Sequence, residues 1–136
     1  TNQQGIGKGL MTPSDLDAIH AKLFAELDAI DARIDTVRVC PHLAAAACSC
    51  RKPKPGMILD IAAELGADVR NAVFFGDTDS DAAAAQAAGV STFHLILGGK
   101  RTAEDALQTK YFPTPPDGVF PDLLSAVTSL LQASTT

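Results

Sequence analysis

The chain reads as an α/β protein built on a parallel sheet, and three observations carry that expectation. Apolar segments with strand character alternate along it with segments of helical periodicity, the order that right-handed crossovers turn into a layered sheet. One strand, Ala72-Val73-Phe74-Phe75, is a continuous apolar run, as expected where both sheet faces are covered. It ends in Gly76-Asp77, and open α/β sheets bind their ligands beyond the carboxyl ends of their strands.

The elements follow in order. Thr1-Asn2-Gln3-Gln4-Gly5-Ile6-Gly7-Lys8-Gly9 is polar and glycine-rich. It suits either amides and a Thr1 hydroxyl that grip phosphate oxygens, or a disordered tail. Thr12-Pro13-Ser14-Asp15 starts a helix, with Thr12 as N-cap, Pro13 in the first turn and Asp15 three residues after the cap. Leu16, Ile19, Leu23 and Leu27 then form one apolar stripe of a helix ending near Ile30, with His20 a packed or surface residue beside it. Ile34 to Cys40 alternates apolar and polar residues and predicts a strand. Pro55-Gly56 opens a helix through Met57, Ile58, Ile61, Ala62 and Leu65 that Gly66 closes. The alanine-rich segment from Asp79 to Ala88 predicts a helix stopped by Gly89. Val90 to Leu97 predicts a strand with His94 packed, Tyr111 to Pro121 a proline-rich covering loop, and Pro121 to Gln132 the last helix.

At 136 residues the chain is expected to be a single domain, 1–136, with one core. Its 46% hydrophobic and 20% charged content describes a soluble globular protein. No apolar run approaches the roughly 20 residues that span a bilayer, and no leader opens the chain, so no membrane partner and a cytoplasmic location are expected. The net charge of −5, without a basic stripe, argues against nucleic acid. Arg51, Lys52 and Lys54 nevertheless form a dense basic cluster, matched only by Lys100-Arg101. A small anionic substrate and a monomeric state are the expectations.

That basic cluster follows the most informative stretch of the chain. Cys40, His42, Cys48 and Cys50 fall within eleven residues and include every cysteine present. Zinc takes Cys and His in tetrahedral sets of four, and a Cys₃His set leaves no position open, so a structural Zn²⁺ is expected in a loop spanning 40–52. Buried apolar cysteines, or a disulfide plus a leftover, are the competing readings. The odd cysteine count and absent secretory segment weigh against a disulfide framework. Such a loop shapes the chain and holds Arg51-Lys52 for an anionic ligand.

Asp77, Asp79 and Asp81 follow the apolar strand. Hard oxygen donors there suit Mg²⁺, which takes one or two carboxylates with waters and a substrate phosphate. A calcium loop is a weak reading because Ala82 and Ala88 stand where it needs Gly and Glu. Asp79 and Asp81 also suit a first helical turn, where carboxylates favour the helix dipole.

Thr1-Asn2-Gln3, the Cys40/His42/Cys48/Cys50 set, Arg51-Lys52-Pro53 and Gly76-Asp77-x-x-x-Asp81, in this order, resemble the haloacid dehalogenase superfamily of phosphatases. The similarity is to the branch joining the heptose-bisphosphate phosphatases with the histidinol-phosphate phosphatases. It implies a Rossmann-like three-layer sandwich with a zinc-binding loop, and a Mg²⁺-dependent phosphoric monoester hydrolase acting on a phosphosugar. Lys54-Pro55-Gly56-Met57 resembles the heptose type, with cleavage at the 7-phosphate of the β-heptose 1,7-bisphosphate; the short gap between His42 and Cys48 resembles the histidinol type. Residue by residue, the resemblance implies that Thr1 and Lys52 stabilise the phosphoryl group and Arg51 recognises the substrate. Asn2, Gln3 and Gln4 would line its pocket, Asp77 would ligate Mg²⁺ and Asp81 would support the metal from behind. The family's Asp-x-Asp nucleophile is absent from this chain and is expected on a segment upstream of Thr1, which makes the domain incomplete at its N-terminus. A zinc-containing module that binds phosphosugars or protein without turnover is the alternative.

Overall fold

A computed structural model describes residues 1–134, which divide into two compact units between Arg51 and Lys52. Among the described residues no helix is long and apolar enough to cross a membrane.

In the first unit, α1 (Gln4–Gly7) and α2 (Pro13–Asp28) are the helices. The expected start of α2 is realised as a full capping box: the Asp15 amide donates to Thr12 Oγ1 at 3.1 Å and the Thr12 amide donates to Asp15 Oδ2 at 2.8 Å. Each bond satisfies an amide that the first turn would leave unpaired. The helix stops at Asp28, two residues before Ile30, and of its apolar stripe Leu16 is the buried member. Because α1 orders residues 4–7, the reading of the glycine-rich start as a disordered tail is set aside.

The strand expected over Ile34 to Cys40 does not form. Cys40 alone pairs, in an isolated parallel bridge with Asn2. Its amide donates to Thr1 O at 2.9 Å, its carbonyl accepts from Gln3 at 2.8 Å, and the N-terminal ammonium donates to Arg38 O at 2.7 Å. Alternation makes a segment fit for a sheet, but a strand needs a neighbour along its length. Only the short run from Thr1 to Gln3 lies alongside, which is enough for a bridge and too little for a ladder.

The second unit holds α3 (Gly56–Leu65), β1 (Val73–Gly76), α4 (Asp79–Ala88), β2 (Thr92–Ile96), β3 (Gly118–Phe120) and α5 (Leu123–Ala133). The strands form a parallel sheet in the order β1-β2-β3, as the alternation of elements predicts. Gly76 lies opposite Leu95, so β1 and β2 end side by side. Gly66 and Gly89 close α3 and α4 in the left-handed conformation that glycine adopts without steric cost.

Successive strand residues point to opposite faces. Phe93 and Leu95 join Ala85 of α4, Ala106 and Phe112 in the core, with Phe74 packed against them. Phe93 stacks between Phe74 and Phe112 at centroid distances of 6.1 and 6.5 Å. The other face carries His94 between Phe75 and Phe120. The covering loop expected over Tyr111 to Pro121 contains β3, held at its entry by Asp117: its amide donates to Phe93 O, and its carboxylate accepts from Phe93 N, both at 2.8 Å.

Candidate functional site

The first unit gathers the cysteine loop. Among the described residues, Cys40, His42, Cys48 and Cys50 form the one metal-competent cluster of His, Cys, Asp and Glu, with their ligand atoms all within 4.8 Å of one another. Cys40 Sγ lies 3.5 Å from His42 Nδ1 and 3.6 Å from Cys48 Sγ, and Cys50 Sγ lies 3.3 and 3.5 Å from the same two atoms. A tetrahedron with Zn–S bonds of about 2.3 Å has edges of about 3.8 Å, so these separations fit a zinc ion with small adjustment. The local sequence makes this possible. The bridge with Asn2 fixes Cys40, and Ala47 turns the chain in the left-handed conformation after a 3-10 turn (Ala44–Ala46), bringing Cys48 and Cys50 back towards Cys40.

The thiols are electrostatically unequal. Burial pushes the Cys48 thiol up, but the backbone of Arg51 and the side chains of Cys50 and Cys40 outweigh it, and the thiol sits at about 6. Burial, together with Cys40 and Cys48, pushes Cys50 up to about 12. Each thiolate makes the next harder to form, whereas a divalent cation at their centre favours all three.

Arg51 ends this loop with its guanidinium turned back into the unit. Nη1 donates to His42 O at 3.3 Å and Nη2 to Gln4 Oε1 at 3.5 Å. Gln3 Nε2 donates to Thr1 Oγ1 at 3.1 Å. The bridge between Asn2 and Cys40 therefore brings Thr1 to Gln4 alongside the metal loop, an association the sequence order does not reveal.

The second unit holds Lys52 and the aspartates. Asp81 is 3% exposed. Its carboxylate accepts from Lys52 Nζ, from Thr78 Oγ1 at 2.7 Å, and from the amides of Thr78 and Asp77 at 3.1 and 3.2 Å. Burial pushes this carboxyl up, but Lys52 and Thr78 more than offset it and hold it below the usual aspartate value. The pair has a local origin: Thr78 caps α4 in a second capping box with Asp81, and a Cβ at Gly76 would collide with the Asp81 carboxyl.

Asp77 is the first residue beyond β1 and is exposed. Among the described residues none hydrogen-bonds its carboxylate, so a hard oxygen donor stands at the carboxyl edge of the sheet, a donor set that fits Mg²⁺ completed by waters and phosphate. Asp79 is engaged elsewhere: Arg101 Nη2 and Nε donate to its Oδ1 at 2.7 and 3.1 Å. Sequence reasoning passed over Arg101 and Thr78. The T-x-x-D spelling of a capping box was available for Thr78, whereas nothing local points from Arg101 to Asp79.

Comparison with known proteins gives a consistent picture. Residues 49–126 match the HAD-hydrolase-like family model. The chain is 42% identical over 102 residues to a D-glycero-beta-D-manno-heptose-1,7-bisphosphate 7-phosphatase of Rhodopseudomonas palustris, an alignment covering 70% of this chain and 57% of that protein. It is 36% identical over 110 residues to the D-glycero-alpha-D-manno-heptose-1,7-bisphosphate 7-phosphatase of Campylobacter jejuni, covering 81% of this chain and 63% of that protein. The chain thus spans about three fifths of these curated relatives. The crystal structure of a D,D-heptose 1,7-bisphosphate phosphatase from B. bronchiseptica, complexed with magnesium and phosphate, superimposes with a TM-score of 0.86 at 34% identity, covering 98% of this chain and 72% of that one. With a fold, a metal loop and a carboxylate edge that agree with these matches, this chain belongs to the haloacid dehalogenase-like hydrolase family.

Proposed function

We propose that the protein carrying this chain is a Mg²⁺-dependent phosphatase that hydrolyses a sugar phosphate, most specifically the 7-phosphate of D-glycero-beta-D-manno-heptose 1,7-bisphosphate. The observation that carries this reading is the Lys52–Asp81–Thr78 network beside an exposed, unengaged Asp77, in a chain similar to heptose-bisphosphate phosphatases of both anomeric names.

Phosphoryl transfer is mostly positioning and stabilisation of charge on the equatorial oxygens. Lys52 neutralises that charge, and its ion pair with Asp81 orients the ammonium. Thr1 hydrogen-bonds the transferring group; Asn2, Gln3, Gln4 and Arg51 recognise the rest of the substrate. Asp77 holds Mg²⁺, which when bound polarises the phosphoryl oxygens, and Asp81 secures the Asp77 amide from behind. The Cys40/His42/Cys48/Cys50 set holds a structural Zn²⁺ that fixes the loop leading to Arg51. Asp77-Thr78-Asp79 does not act as an Asp-x-Asp nucleophile pair, because Asp79 is taken by Arg101; the nucleophile belongs to the remaining length that the relatives possess.

The test is a substrate panel on the protein expressed from its whole coding region, with heptose 1,7-bisphosphates of both anomers, histidinol phosphate and inorganic phosphate release as readout. Turnover of the β-bisphosphate, falling about 10²–10³-fold in Lys52→Ala, is expected. Preferential turnover of histidinol phosphate would move the protein to that branch. Saturable binding of phosphosugars without turnover would instead make it a non-catalytic module.

A further inference from the structure

The two strands that end side by side release two segments at one edge of the sheet: β1 leads into Asp77, and β2 leads into Gly98-Gly99-Lys100-Arg101. A Cβ built on Gly99 would fall within the Asp77 carboxyl group. Gly99 is not among the residues with a positive φ, so what the site requires of this position is space and not an unusual backbone. Two further contacts fasten the segment. Arg101 donates twice to Asp79 Oδ1, and its Cζ lies 3.8 Å from the centroid of the Tyr111 ring. Beyond it, Thr102 and Asp105 exchange amide bonds at 3.0 and 3.2 Å. The segment is thus tied to the sheet before Gly98 and to α4 and Tyr111 at Arg101. Asp77, by contrast, has no described hydrogen-bond donor of its own, so backbone packing is what limits where its carboxylate can point.

We infer that residues 98–101 form a latch that positions the Asp77 carboxylate: Gly99 supplies the backbone against which it rests, and Arg101, fastened to Asp79 and Tyr111, holds that backbone in place. The inference rests on the reading of Asp77 as a cation ligand. Gly99 and Arg101 are positioning residues; neither need touch substrate. A ligand held in one orientation binds its metal more tightly than one free to rotate, and removing an outer support of this kind typically costs 10–100-fold in metal affinity. The latch also gives Asp79 a task, since its ion pair with Arg101 spans from α4 to the loop after β2.

The test is direct metal binding by the zinc-loaded protein from the whole coding region, with Mn²⁺ as probe and the electron paramagnetic resonance signal of free aquated Mn²⁺ as readout. Four variants are compared with wild type: Gly99→Ala, Arg101→Gln, Arg101→Lys and Asp77→Asn. Gly99→Ala and Arg101→Gln should each raise the Mn²⁺ dissociation constant about tenfold, with zinc content and melting temperature retained. Arg101→Lys, which keeps the cation for Asp79 and Tyr111, should recover most of the affinity. If Gly99→Ala fails to fold, Arg101→Gln decides. If the folded variants bind Mn²⁺ within about twofold of wild type while Asp77→Asn loses it, the latch is wrong and the assignment of Asp77 stands. If Asp77→Asn keeps the Mn²⁺ site of wild type, or wild type shows no distinct Mn²⁺ site, that assignment fails and the latch falls with it.

Discussion

Asp81→Ala is the most informative single change. The carboxylate is 3% exposed and receives four donors, one of them the Lys52 ammonium, whose side chain is 19% exposed. Truncation takes the Asp81 counter-charge from a largely buried cation, and breaking such a pair typically costs about 3–5 kcal/mol. Water reaches Lys52 in part, which favours the lower end. The capping box loses one of its two reciprocal bonds but keeps the other, since the residue 81 amide still donates to Thr78 Oγ1; caps are worth about 1 kcal/mol in all. A net loss of about 3 kcal/mol is expected, or about 10 °C in melting temperature for a chain of this size. Circular dichroism melts of wild type, Asp81→Ala, Lys52→Met and the double variant close a mutant cycle. The pair should couple by more than about 1 kcal/mol, and Lys52→Met/Asp81→Ala should be more stable than Asp81→Ala, because it removes the ammonium along with its Asp81 partner. A loss below about 1 kcal/mol with no coupling would refute the argument that this network organises the start of α4.

Three further outcomes follow from the same geometry. Chelation of zinc should open residues 43–50 to protease and release a single zinc per chain, with Cys48→Ser losing most of the metal; unchanged cleavage would show that the loop stands without it. Acid should remove the stabilisation held by Asp81. Its carboxyl lies below the usual value in the folded state, so the contribution is complete above about pH 4, where the unfolded group is ionised, and is lost as pH falls through the lower folded value. Asp81→Asn should flatten that limb of the stability curve, and an unaltered limb would assign acid lability elsewhere. Arg51→Ala should loosen Gln4 and the carbonyl of His42, read as faster amide exchange over residues 4–8 with zinc content unchanged; lost zinc would instead make Arg51 part of the metal site's scaffold.

What was legible in the sequence was what short-range chemistry decides. The capping box at Thr12 and Asp15, the glycine ends of α3 and α4 and the apolar β1 each follow from residues within a few positions of one another. The metal loop was legible for the same reason, since all four ligands lie in one short stretch. The failures are equally physical. Ile34 to Cys40 has strand-like alternation, but pairing is a property of two segments, and its neighbour runs only from Thr1 to Gln3. β3 was hidden because its three residues follow a proline-rich run, and Asp117, not local propensity, ties them to β2. The pairs Lys52–Asp81 and Arg101–Asp79 join residues 29 and 22 positions apart, beyond any periodic pattern.

The run Asp77-x-Asp79-x-Asp81 shows why counting carboxylates overstates a metal site. Thr78 is the N-cap of α4, so Asp79 is its first helical residue and Asp81 its third. A helix turns about 100° per residue, which sends these two side chains to nearly opposite sides of the axis. Asp81 turns inward to the amides of Asp77 and Thr78 and to Lys52; Asp79 turns outward to Arg101. Neither can join the other around one ion without unwinding the helix start. Asp77 precedes the cap and escapes this geometry, so it alone keeps a carboxylate that no described residue engages. A spelling with three acidic residues therefore resolves into one candidate cation ligand, one support for a lysine and one anchor for a neighbouring loop. The helix start, more than the number of charges, decides which residue does which.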